Sequence, residues 1–322
     1  MDWSKGEVFL TLLYFMTAVG ILQMLIKSYI STYCHHHYMT MVNWMRREYN
    51  EIEVKGTIMR EIIEKNIHLA FNQSRTIVML YVIVFLLAPL GYMITVIIRD
   101  GLHAVIIIPY VPYDHPHAKL IYYSVELPYT FLAGFLSGIG DSTTIISGIH
   151  VMKAIDTVNE LIALLDDKEK ANQCPNLLIH IHKKHAEIIR ILFTLNEIIY
   201  IISLVQLFTS TSMFLVLFTS AKTQPFEIVF YIFMLCVVSQ LLLLCAFGEM
   251  IFSKTQNIFT KLYLTRWYDM SLANQKIILM MMRMSEAPYG LKAGGMYDLN
   301  LYTFIQIVKM AISYCAIIIT LT

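Results

Sequence analysis

The sequence predicts an all-α polytopic membrane protein, with six transmembrane helices whose ends extend into an anchor bundle in the cytoplasm. Three observations lead there. Hydrophobic residues make up 57% and charged residues only 15% of the 322 positions, against about 45–50% and about 25% in a soluble domain. Six stretches approach or exceed the roughly 20 apolar residues that a helix needs to cross a bilayer. Lysine and arginine gather in alternate connections, as they do in cytoplasmic loops. The net charge of +1 gives nucleic acid no basic face to bind, so no nucleic-acid partner is expected.

The first span, 8–26, follows "MDWSKGE", a start of mixed charge, and is too long for a cleaved signal peptide. The connection 27–75 carries Lys27, Arg46, Arg47, Lys55, Arg60, Lys65 and Arg75. Within it, "MVNWMRREYNEIEVKGTIMREIIEKNIHLAF" places apolar residues at three-and-four spacing, the amphipathic helix pattern. The second span is 76–98. Next comes "IIIPYVPYDHPHAK", an irregular segment on the outer side, and then the third span, 120–149, interrupted by Glu126 and Asp141. "HVMKAIDTVNELIALLDDKE" is again amphipathic, and "NQCPNLLIHIHKKHAEIIRILF" runs from a Cys174-Pro175 break into the fourth span, 191–219. The fifth span is 226–252. A basic connection, 253–300, leads to the last, 301–321, where Lys309 is the one charge. Nineteen of the 24 basic residues fall in the connections after spans one, three and five. Those connections are therefore expected in the cytoplasm, and both termini of the chain outside. Three regions follow: ligand-binding helices with cytoplasmic extensions over 1–252, an anchor segment over 253–300, and a terminal helix over 301–322.

Chemistry-bearing clusters are few. Three consecutive histidines (His35, His36, His37) point in different directions on a helix, and His180, His182 and His185 read as a solvated face, so no metal site is expected. The five cysteines are scattered as small packing residues. No glycine-rich phosphate loop, nucleophile elbow or paired catalytic carboxylates occur, which argues against an enzyme or a cofactor. Ionisable residues within spans are costly and point to function. Asp141 reads best as packing, satisfied by a neighbouring helix. The outer half of its span, with Tyr123, Glu126 and Tyr129, faces Tyr92, Phe208, Met213, Phe230 and Phe233 on other spans. Together they suit a mostly apolar cavity for a small volatile or lipid-like molecule, though each also fits an ordinary core.

The last helix carries a stripe of Gln306, Lys309, Met310, Ser313, Ile317, Thr320 and Leu321, polar at one end and apolar at the other. Around a shared axis, Lys309 and Ser313 would border a wet vestibule. Ile317 and Leu321 would form an apolar gate that blocks ions by dewetting, with Thr320 beside it. Packing of one more helix, with Lys309 snorkelling to the interface, fits the same periodicity.

From position 245 to the end, the order and spacing of "CAFGE" (245–249), Ser253, "RWYDMS" (266–271), "MMRMSEAP" (281–288), "LKAGGMYDLNLYTFIQIVK" (291–309) and "SYCAII" (313–318) resemble an insect odorant receptor. "GDSTTI" (140–145) continues the likeness upstream. Cys315 stands where an aromatic is usual. The resemblance implies an odorant-gated cation channel in the plasma membrane of a sensory neuron, passing monovalent and divalent cations. It also implies an odorant-tuning subunit assembled with a shared co-receptor into a heterotetramer, with the extracellular C-terminus lining the pore. The co-receptor has a long insertion in the second cytoplasmic connection, whereas 150–190 is short here. Carried over by position, the pore constriction falls on Ile317 and Leu321. The family has seven spans, and "MDWSKGE" begins just before what corresponds to its second, so the first helix is expected to be missing. A gustatory receptor channel is the nearest alternative, but "SYCAIIITLT" lacks that group's Thr-Tyr-x-x-Gln-Phe ending. A G-protein-coupled receptor would place the C-terminus in the cytoplasm.

Overall fold

A computed structural model describes the backbone of residues 5–50, 57–98, 117–167, 174, 176–223 and 228–321. Eight helices dominate: α1 (Lys5–Tyr33), α2 (His35–Asn50), α3 (Thr57–Ile98), α4 (Ala118–Ala163), α5 (Leu177–Thr223), α6 (Ile228–Leu264), α7 (Leu272–Met284) and α8 (Leu301–Leu321). Among the described residues the protein is thus all-α, apart from 3-10 turns at Leu164–Asp166 and Trp267–Asp269 and a hairpin of two-residue strands, β1 (Lys292–Ala293) with β2 (Tyr297–Asp298).

Among the described residues, four helices contain segments long and apolar enough to cross a bilayer: Tyr14–Tyr33, Ile58–Gly91, Leu177–Phe218 and Phe230–Leu264. Leu301–Ile317 of α8 is a shorter apolar helix. At 1.5 Å per residue, α3, α5 and α6 outrun the roughly 30 Å hydrocarbon layer. Their amphipathic ends therefore continue in the same helix as the apolar segment, with no turn between them. Along the apolar portions, Leu80, Ile83, Leu132 and Phe135 are exposed on the outside, where lipid is their natural neighbour.

The opposite half is a second packing layer. Met41 and Trp44 of α2, Ile155 and Leu161 of α4, Ile181 and Ile188 of α5, Ile258 and Leu262 of α6, and Ile278 and Met281 of α7 are all buried. Ion pairs tie these extensions together: Lys184 with Glu48, Arg47 with Glu187, Lys254 with Asp156, and Lys65 with Glu160 at 3.1 Å.

The hairpin is absent from the sequence reading, although its cause is local. Gly294 and Gly295 adopt φ of 57° and 71°, a left-handed region that costs glycine nothing. The turn folds onto α5, where the Gly294 amide donates to the Tyr200 carbonyl at 3.0 Å. Asn300 then starts α8, its side-chain oxygen accepting the Thr303 amide at 2.8 Å, an N-cap.

Two placements correct the sequence reading: His185, expected on a solvated face, is buried with its Nε2 2.9 Å from the Ser285 hydroxyl, and Lys27 is turned inward. Lys27 does not sit in a solvated connection between helices. α1 continues to Tyr33, and Lys27 turns inward, 8% exposed, onto Asp141 of α4. Helix phase overrides the hydropathy boundary.

Candidate ligand-binding site

A cavity of about 160 Å³ lies among the apolar halves of α1, α3, α4, α5 and α6. Its wall is mostly apolar or small: Met16, Gly20 and Met24 from α1, Phe85 and Pro89 from α3, Ala133 and Gly134 from α4, Met213 from α5, and Phe233 and Val237 from α6. Small residues on α4 let α3 come close, since a Cβ at Gly134 would meet the Phe85 carbonyl oxygen at 2.9 Å. The volume matches the roughly 150 Å³ at which an apolar cavity admits a benzene-sized molecule.

One end of the cavity is polar. Gln23, Lys27 and Gln240 line it and belong to a network that joins five helices. Lys27 Nζ donates to Asp141 Oδ1 at 2.7 Å and Oδ2 at 3.0 Å. The Tyr81 hydroxyl and the Gln240 amide also donate to Asp141 Oδ2, at 2.7 and 3.1 Å. Gln206 donates to Gln240 Oε1 at 2.9 Å and to Ser210 at 2.8 Å, and Gln23 donates to Gln206 Oε1 at 2.5 Å. An amide buried without partners costs roughly 2–7 kcal/mol, so the three glutamines are held by one another and by the carboxylate.

Of the residues expected to bind ligand, Glu126, Tyr129, Met213 and Phe233 line this cavity. Glu126 is buried, 2% exposed. Tyr123 is half-buried against the core, and Phe230 is buried within it, but neither is on the cavity wall. Phe208 is 76% exposed on the outer face of α5. Its helix presents Met213 inward, and Phe208, five residues earlier, falls on the other side. The side chain of Tyr92 lies outside the described residues, as do those of Thr320 and Leu321. Sequence reasoning missed Gln23, Gln206 and Gln240. Their signal was available: each is a lone amide in an apolar stretch, where polar residues mark helix contacts or function.

Residues 7–312 match the family model of the 7tm odorant receptor. The chain belongs to the insect odorant receptor family. It is 24% identical over 141 residues to odorant receptor 33b of Drosophila melanogaster and 23% identical over 163 residues to odorant receptor 49a of the same species. These alignments cover 44% and 50% of this chain, and 37% and 41% of those relatives. The fold is similar to that of the insect olfactory receptor OR5 from Machilis hrabei, solved in complex with eugenol. That match has a TM-score of 0.72 at 13% identity and covers 95% of this chain and 81% of that one. A second structure of the same receptor gives 0.70, at the same identity and coverage. The family is one of membrane receptors rather than enzymes.

In this odorant receptor α8 packs on α5 and α6 through Ile307, Ala311 and Cys315. Lys309 and Ser313 are exposed on the opposite side, and Ile317 is half exposed. The segment entering α8 is fixed from two sides. Gly248 of α6 abuts Leu299, while the Thr255 hydroxyl lies 3.1 Å from both the amide and the carbonyl of Tyr289. The ring of Tyr289 meets Phe193 edge-on at 5.1 Å. Burial, with Glu197 nearby, pushes the Tyr289 phenol up to about 12, so it stays neutral in this contact.

Proposed function

We propose that the chain is the odorant-binding subunit of an odorant-gated, non-selective cation channel. A small hydrophobic volatile occupies the cavity bordered by Glu126, Tyr129, Met213 and Phe233. α8 contributes one wall of a pore shared with co-receptor subunits in a heterotetramer. Residues 1–252 form the ligand-binding helices and their extensions, 253–300 the anchor segment, and 301–322 the pore helix. The complex sits in lipid at the plasma membrane of a sensory neuron, with Thr322 outside, and passes monovalent and divalent cations.

The observation that carries this reading is one helix serving both ends. α6 lines the cavity with Phe233, Val237 and Gln240 and, further along, touches the entry to α8 through Gly248. A ligand that draws α6 inward therefore moves the start of α8, the kind of element that opens an apolar gate by spreading its helices. Eugenol in the related olfactory receptor is in keeping with a compact aromatic guest.

Current recording tests the proposal. Cells expressing the chain with an odorant co-receptor should show volatile-evoked cation currents that co-receptor alone does not give. Surface-labelled complex that stays silent to a broad volatile panel, or Thr322 labelled only from the cytosol, would overturn it.

A further inference from the structure

The polar end of the cavity has a fixed direction, and that direction selects a ligand chemistry. A carboxylate only accepts hydrogen bonds. Asp141 therefore obliges Gln240 to turn its NH2 group toward it, at 3.1 Å, which leaves Gln240 Oε1 facing the other way. That oxygen takes the Gln206 amide at 2.9 Å and the Gln23 amide at 3.3 Å. The second Gln23 hydrogen goes to Gln206 Oε1 at 2.5 Å. Both hydrogens of Gln23 are thus committed, and among the described residues no donor reaches its Oε1. Lys27 spends two of its three N–H bonds on Asp141. Gln23 and Lys27 are each 8% exposed and both line the cavity. The polar end therefore offers one unused acceptor and one unused donor, one helical turn apart on α1, in a site shielded from water.

Resting on the reading of this cavity as the odorant site, we infer that it selects a hydroxyl compound, a small alcohol or phenol. The ligand O–H donates to Gln23 Oε1, and its oxygen accepts from Lys27 Nζ. A hydroxyl is one group that is both donor and acceptor. An ether or ester satisfies only the lysine and strands the glutamine oxygen, while a hydrocarbon strands both. An anionic ligand is disfavoured too, because Lys27 is already paired with Asp141 and the Glu126 carboxylate borders the same cavity.

The test uses sets matched in size: phenol, anisole and toluene, and cyclohexanol with methylcyclohexane. In receptor expressed with co-receptor, the hydroxyl member should be at least tenfold more potent than its ether or hydrocarbon partner. Gln23→Met, similar in length and apolar, should abolish that preference, bringing the potency of each hydroxyl compound to that of its ether or hydrocarbon partner. Gln23→Asn, which keeps the amide but withdraws it by one methylene, should reduce the preference and covers the case in which the methionine variant fails to reach the surface. Thermal stabilisation of the detergent-purified chain by the same compounds gives a readout independent of gating. Ethers and hydrocarbons acting as well as alcohols, or both variants retaining the preference, would overturn the hydroxyl assignment while leaving the receptor reading intact. Silence to every compound, with no thermal stabilisation, would remove the receptor reading and this inference together.

Discussion

Gly248 of α6 lies against the backbone of Leu299, so that a Cβ at position 248 would fall 1.9 Å from the Leu299 carbonyl oxygen and 2.8 Å from its carbonyl carbon. Only a glycine allows this approach. Asn300 caps α8 at the next position, so any displacement of Leu299 is passed to that helix. Gly248→Ala should therefore destabilise the receptor by at least about 1–3 kcal/mol, the usual cost of overpacking, and lower its surface yield. Gly140→Ala is the matched control, because its added Cβ meets nothing within 4 Å. Equal melting temperatures for the two variants would show that the backbones are not in contact.

The Lys184–Glu48 pair holds α2 to α5, with side chains only 6% and 12% exposed. Taking one partner from a buried pair strands the other charge, at a cost of about 3–5 kcal/mol, whereas replacing both with apolar residues can be neutral. Lys184→Met and Glu48→Leu should each lower the melting temperature markedly, and the double variant should recover most of the loss. A double variant no better than the worse single would show that the two side chains act independently.

The cavity wall makes a discriminating prediction between two aromatic residues that sequence periodicity treats alike. Phe233→Ala enlarges the cavity and should reorder a panel of volatiles by potency without abolishing surface expression, and Tyr129→Ala should do the same. Phe208→Ala removes a ring that faces outward and should leave the order unchanged. Dose–response curves for the three variants decide it: a reordering by Phe208→Ala alone would place the ligand elsewhere.

The division between what was and was not legible follows from what sequence periodicity encodes. Apolar length reveals helices that cross a bilayer, and three-and-four spacing reveals that their ends remain helical. The long α3 and α5 were legible for that reason. Rotation about a helix axis inside lipid is much harder to read, because in an apolar span the lipid face and the core face have the same composition. Phe208 and Met213 could not be told apart on those grounds. Lys27 was misplaced because a charge near a span's end ordinarily marks the water boundary, and only its partner Asp141 on α4 shows otherwise. The hairpin at Gly294–Gly295 was written in the sequence as a glycine pair, but with two-residue strands it has no periodicity to display.

The orientation of α8 supports the last prediction. Ile307, Ala311 and Cys315 face the bundle, and the stripe of Gln306, Lys309 and Ser313 points the opposite way. An ammonium turned toward lipid at the middle of a helix costs about 2.5–3.5 kcal/mol on insertion scales. It is better placed at the interface or beside water shared with other subunits. These two settings differ in what Lys309 does to passing ions. Beside a pore its positive charge repels cations, so Lys309→Gln should raise single-channel conductance and Lys309→Glu should raise it further, with a greater share of divalent current. Ile317→Asn should weaken an apolar gate and increase current in the absence of ligand. If Lys309 snorkels to the interface instead, Lys309→Glu and Ile317→Asn will leave conductance, permeability ratio and resting current at wild-type values, and α8 will have to be reassigned to the lipid-facing wall.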